Sequence, residues 1–213
     1  MIYGLTGTPV ARRLGVAGAN GTLVLIVGGH ELARAIGSAL KKAGVGVRMW
    51  AGPSTQAAAR EAGLEADSGR MLIDSLSREA ELEEITDALL LSGSDDFNAL
   101  AAKELRQDLG HGHVYRIAPE PAEPDLLQPS TNVDVLGRDD LTSAELTRRL
   151  AQGERFISVT IDTVATPERS QDGTTLFVVA TDGSMRAVTG GNGPKVHNGD
   201  RVLKLVAPAP SLP

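Results

Sequence analysis

Two short runs hold residue types that could bind an anion. In the first, Gly28, Gly29 and His30 follow the apolar stretch Leu23-Val-Leu-Ile-Val27, and Arg34 lies one turn further on. A strand that turns through glycine into a helix offers free backbone N–H groups and the positive end of the helix dipole to a phosphate. In the second run, Ser92, Gly93, Ser94, Asp95 and Asn98 follow an apolar stretch ending at Leu91. Their hydroxyl, carboxylate and amide groups either cap the next helix or face a ligand.

The first run is a broken dinucleotide fingerprint. The pattern G-x-G-x-x-G needs its second glycine so that a pyrophosphate can approach bare backbone, and the three positions here read Gly28, His30 and Ala33. His30 either attracts an anion when protonated or fills the space that a pyrophosphate would take. An acidic residue that would read a ribose is also absent, because Trp50 is followed by Ala51 and Gly52. A dinucleotide is therefore not expected. The residues left to meet a ligand are the glycine turn, the serine-rich run and the cations Arg34 and Arg70, each of the two arginines being either a phosphate contact or a solvated charge. Any nucleotide taken up is expected to be a mononucleotide such as AMP or ADP, held weakly.

No catalytic constellation is visible. His111-x-His113 sets two imidazoles on one face of a strand, but no third ligand is in view to complete a metal site. Patterns of the G-x-S-x-G, H-E-x-x-H and Walker types do not occur. Cys 0 excludes a thiolate nucleophile, a disulfide framework and a cysteine-based zinc site. A net charge of -6 with no basic block argues against nucleic acid as a partner. No stretch reaches the roughly 18 consecutive apolar residues of a membrane helix.

The elements that must position these residues follow from periodicity. From Thr22 to about Pro119, short aliphatic runs alternate with helical spacing, the mark of βαβ units around a parallel sheet. Strands are expected at Leu23 to Val27, Val45 to Trp50, Glu65 to Ser68, Asp87 to Leu91 and His113 to Ile117. Between them, Leu32, Ile36 and Leu40 mark a first helix ending near Gly44, and Pro53 opens a second over Ser54 to Ala62. A helical turn is expected around Leu76 to Leu82. A longer helix, capped by Asp95 or Asp96, carries Phe97, Ala101, Leu105 and Leu109 on one face.

Prolines and acidic residues from Ala118 to Ser130 read as a linker, and Thr142-x-x-Glu145 as the capping box of a helix within Asp140 to Gln152. The remainder turns to Val, Ile and Thr over Arg155 to Val164, Thr174 to Ala180 and Arg201 to Val206, with a hairpin turn at Asp182-Gly183 and a Pro-rich tail expected to be disordered. The expectation is an α/β protein: a Rossmann-like doubly wound parallel sheet followed by a small β-rich C-terminal domain. Its parts are a segment 1–18, a Rossmann-like domain 19–120, a linker and short helix 121–152, and the β-rich domain 153–213.

Three segments together resemble a family. Val24-Leu-Ile-Val-Gly-Gly-His-x-x-Ala-Arg34-Ala, Leu89-Leu-Leu-Ser-Gly-Ser-Asp-Asp-Phe-Asn-Ala-Leu-Ala-Ala102 and His113-Val-Tyr-Arg-Ile-Ala-Pro119 are similar, in order and spacing, to TrkA-N or RCK-type cytosolic regulatory domains of bacterial monovalent cation/proton antiporters of the NhaP kind. Tyr3-Gly-Leu-Thr-x-x-Pro9-Val-Ala-Arg-Arg-Leu-Gly15 resembles the cytosolic exit of the last membrane helix in those proteins. Gly69-Arg70 stands where such domains usually carry Gly-Asp.

The resemblance implies a non-enzymatic ligand-sensing module at the cytoplasmic face of a membrane, joined to a transport domain upstream of Met1. It also implies a twofold homodimer paired through the face of Phe97, Ala101 and Leu105 and the strand Val114 to Ile117. Two readings compete with it: a fragment of an NAD(P)-dependent oxidoreductase, and a structural dimerisation scaffold with a vestigial nucleotide crevice.

Overall fold

The computed structural model describes residues 22–68, 84–110, 112–120, 133–138, 140–162, 173–190 and 193–208. The segment 1–18, Arg70, the turn around Leu76 to Leu82, His111, most of the expected linker and the end of the tail lie outside these residues.

Six strands form one parallel sheet: β1 Leu23–Val27, β2 Gly46–Ala51, β3 Glu65–Ser68, β4 Asp87–Leu90, β5 Val114–Arg116 and β6 Asp134–Val135. Their order is β3-β2-β1-β4-β5-β6. This is the doubly wound order of the Rossmann fold, in which the chain reverses direction across the sheet between β1 and β4. The helices α1 Glu31–Lys42, α2 Pro53–Glu61 and α3 Asp95–Leu109 follow β1, β2 and β4. β1 is wholly apolar because both its faces are covered, Val24 and Ile26 joining one core cluster and Leu25 and Val27 another.

The helix α4 Ser143–Ala151 starts at a Thr142 whose side chain accepts from Glu145 N at 3.2 Å, while the other half of the expected capping box is not made, since the Glu145 carboxylate accepts from Arg148 and Thr142 N donates to the Asp140 carbonyl. After it, β7 Arg155–Thr160, β8 Thr174–Val179, β9 Met185–Ala187 and β10 Arg201–Val206 form an antiparallel sheet in the order β7-β10-β8-β9. The β8–β9 hairpin turns through Asp182 and Gly183, and the Asp182 carboxylate accepts from Ser184 N at 2.9 Å.

This second sheet shares its core with the first. Leu176, Phe177, Leu203 and Leu205 belong to the same buried cluster as Ile26, Leu32, Ile36 and Leu40. α1 lies between the sheets, in contact with β1, β2, β7 and α4. Its buried arc therefore includes Ala33, Gly37 and Ala39 beside the leucine and isoleucine stripe. Polar ties run across the same joint: Met185 N donates to Thr22 Oγ1 at 3.2 Å, Arg201 Nη1 to the Ala43 carbonyl at 2.7 Å, and Gly137 N to the Val188 carbonyl at 2.7 Å.

Three expectations need correction. Ser94, not Asp95 or Asp96, caps α3, its side chain accepting from Phe97 N at 3.3 Å. β6 extends the sheet where no strand was expected, since two residues are too few to show a period. The face assigned to dimer pairing is internal: Ala101 and Leu105 are core, and β5 is flanked by β4 and β6, while Phe97 and Leu100 remain 37% and 55% exposed. Helix periodicity tells which residues share a face, but not what covers it.

Candidate functional site

Because all six strands are parallel, the loops after β1, β2 and β4 gather at one edge of the sheet, and those after β1 and β4 flank the switch point where such sheets bind ligands. The glycine turn of the first run and the serine run of the second therefore meet, as the sequence implied. They meet at Gly28, which lies against Leu91 and Ser92.

Gly28 has φ +136°, and a Cβ built on it would stand 2.3 Å from the Leu91 carbonyl oxygen. Its N–H donates to the Trp50 carbonyl at 2.8 Å. At Gly29 a Cβ would stand 2.2 Å from Thr55 Oγ1 and 2.8 Å from the Cβ of Ala51. At both glycines a side chain would strike neighbouring protein, so the turn is built for glycine. Ala51 is fully buried beneath Gly29 and reads no ribose. Thr55 and Leu91 were not singled out in the sequence, and nothing local to them signals that they close the turn.

His30 is the N-cap of α1. Its Nδ1 accepts from Ala33 N at 3.3 Å, which leaves the proton of the neutral ring on Nε2. Burial lowers its pKa from 6.5, the Leu91 backbone pushes it up less strongly, and the charge of Arg34 lowers it further. The imidazole is therefore a neutral cap rather than a cationic anchor. Arg34 Nη1 donates to the Gly29 carbonyl at 2.6 Å, turning this cation back onto the loop.

In the second run, the Asn98 amide braces Ser92. Its Oδ1 accepts from Ser92 N at 3.1 Å and from Ser92 Oγ at 2.7 Å, and its Nδ2 donates to the Ser92 carbonyl at 3.0 Å. Ser94 is spent on capping. Gly93 has open space around it and Asp95 is exposed. Glu31 opens α1, and Asp95 and Asp96 open α3, so both helix N-termini at the crevice carry carboxylates that compete with an incoming anion. The hydroxyls of Thr55 and Ser92 at the crevice donate to a carbonyl or an amide oxygen, and that of Ser94 accepts from a backbone N–H.

His113 lies at the other end of the sheet. Its Nδ1 stands 3.2 Å from Asp87 Oδ1, and Thr86 Oγ1 donates to Asp87 Oδ2 at 2.8 Å. Burial raises the Asp87 carboxyl above its ordinary pKa against these hydrogen bonds. Among the described residues no three His, Cys, Asp or Glu side chains gather to hold a metal ion. Nor is any helix among them long and apolar enough to cross a membrane.

The His30 arrangement has a measurable consequence. With its folded pKa below the unfolded value of 6.5, the unfolded chain binds more protons between the two values. This contribution to stability is complete above pH 6.5 and is lost as pH falls through the folded pKa. An NMR titration is expected to place the His30 pKa below 6.5, and His30→Asn, which retains a capping side chain, to flatten that part of the stability curve. A His30 pKa at or above 6.5 would contradict the buried, neutral assignment.

No family model matches the chain, and a search of curated proteins finds no match for it.

Proposed function

We propose that this chain is a non-catalytic regulatory module, the cytosolic ligand-sensing part of a sodium or potassium/proton antiporter. The observation that favours the non-catalytic half is that the polar side chains of the switch point, Arg34, Ser92, Ser94 and Asn98, bond within their own loops. Gly28 and Gly29 are packed against Leu91, Ala51 and Thr55, and His30 is committed to capping α1. A hydride-transferring enzyme needs an open phosphate turn, a ribose-reading acid and a proton donor at the same crevice, and this crevice spends its groups on itself. The antiporter half rests on the resemblance of residues 24–35, 89–102 and 113–119, whose order suits a doubly wound sheet, and on Tyr3 to Gly15. Regulation would follow from a ligand that binds two arrangements of the module unequally, since equal binding shifts nothing.

The same packing favours a second reading, a structural scaffold with a vestigial crevice. Calorimetry and melting curves with AMP, ADP and NADH separate the readings. Weak AMP or ADP binding without NADH binding is the expected result, with roughly 2.7 kcal/mol of stabilisation at a hundredfold excess over Kd. Micromolar NADH binding would restore the oxidoreductase, and no nucleotide binding at all would favour the scaffold. The transporter assignment is checked upstream of Met1, where about ten apolar segments long enough to span a bilayer are expected in frame.

A further inference from the structure

A second concavity lies where the two sheets join, at the opposite end of α1 from the crevice. It is lined by Ala43 and Gly44 after α1, by the hairpin from Val179 to Gly183, and by Gly199 and Arg201, and encloses about 420 Å³. That size falls within the roughly 300–1,000 Å³ span of small-molecule sites. Glycines and alanines make up much of its lining, and it carries two opposite charges, Arg201 and Asp182.

The two charges are held in place and held apart. Arg201 Nη1 donates to the Ala43 carbonyl at 2.7 Å, which fixes the guanidinium at the carbonyl end of α1 and leaves its other nitrogens unengaged among the described residues. Asp182 Oδ1 accepts from Ser184 N at 2.9 Å and from Ser184 Oγ at 2.6 Å, while Oδ2 has no partner among the described residues. Those bonds keep the carboxyl pKa low, and Arg186 adds a smaller effect, so Asp182 is ionised at neutral pH. Yet Arg201 and Asp182 form no ion pair with each other, although both line the recess. A lone anion would meet Asp182, and a lone cation would meet Arg201. A molecule carrying both charges satisfies the two together: the planar guanidinium fork suits a carboxylate, and the free carboxylate oxygen, with the partial negative charge at the end of α1, suits an ammonium.

We infer that this recess binds a small zwitterion of the α-amino-acid class, its carboxylate on Arg201 and its ammonium on Asp182. A molecule seated there touches α1 and the β8–β9 hairpin at once, so it would bear on how the two sheets are joined. The inference stands on the recess alone and does not depend on the antiporter reading.

The test is calorimetric titration of the whole chain with L-alanine, beside sodium acetate and methylammonium chloride as half-ligands at matched ionic strength. Saturable L-alanine binding is expected, with each half-ligand weaker by about tenfold or more. Asp182→Asn keeps the Oδ1 acceptor of the hairpin and is expected to weaken L-alanine by about tenfold or more, as is Arg201→Gln. Should Arg201→Gln unfold through loss of its bond to Ala43, Asp182→Asn decides alone.

Absence of saturable L-alanine binding up to tens of millimolar overturns the inference, and so does acetate binding as well as L-alanine. Amide NMR shifts induced by L-alanine are expected at Gly44, Gly183 and Gly199. Shifts at Gly29, His30 and Ser92 instead would move the ligand to the crevice, overturning this site while leaving the regulatory reading intact.

Discussion

Gly28→Ala is expected to destabilise the chain by about 3–5 kcal/mol, while Gly93→Ala in the facing loop stays within about 0.5 kcal/mol of the parent. The two glycines sit at the same crevice and differ in what surrounds them. At Gly28 the backbone holds φ +136°, which an L side chain rarely adopts, and the added Cβ would lie 2.3 Å from a backbone oxygen of the β4–α3 loop. That oxygen cannot rotate away as a flexible side-chain tip would. Relief requires the Leu91 segment to part from the β1–α1 turn, against the bond from Leu91 N to the Val27 carbonyl at 2.8 Å. At Gly93 nothing lies within 4 Å of the added atom. Urea unfolding of both variants reads the difference. A small loss for Gly28→Ala would mean that the β1–α1 turn and the Leu91 segment are not in contact.

Phe177→Ala is expected to lower stability by about 3–5 kcal/mol, and to do so for the whole molecule. Phe177 is fully buried in β8, paired with Leu203 on one side and Ala187 on the other, within the cluster that includes α1 and β1. Its removal leaves a cavity in the core that both sheets close. Trp50, the one tryptophan, sits in β2 within the cluster on the far face of the parallel sheet and reports that sheet by fluorescence. The Trp50 transition is expected to move with the far-ultraviolet circular dichroism transition, by the same amount. Destabilisation that left the Trp50 transition in place would mean that the antiparallel sheet folds on its own core.

Much of this architecture was legible along the chain because it rests on local signals. The aliphatic run Leu23 to Val27, the helical spacing of Leu32, Ile36 and Leu40, Pro53 at the start of α2 and the Thr142 cap each announce an element within a few residues. The alternation of strand and helix then leaves few topologies, and the doubly wound sheet is the one observed. Where signals were short or non-local they failed. β6 is two residues long, and the cap of α3 was a choice among adjacent Ser94, Asp95 and Asp96 that only backbone geometry makes. Phe97 shares a helical period with Ala101 and Leu105 but stands outside the core they join.

By itself the sequence determined the fold class, the gathering of the glycine and serine runs at one edge of the sheet, and the loss of the groups a dinucleotide needs. Only the tertiary structure decided what packs against the turn. Gly28 meets Leu91, some 60 residues downstream in the chain, and Gly29 meets Thr55 from another helix, contacts that no local pattern encodes. It also decided that Arg34 bends back on Gly29, that the antiparallel sheet shares a core with α1, and that Arg201 and Asp182 line one recess without touching. The physical reason is the same in each case. Period and capping are properties of a few consecutive residues, whereas burial, desolvation and charge pairing depend on which distant segments the packed core brings within a few ångströms.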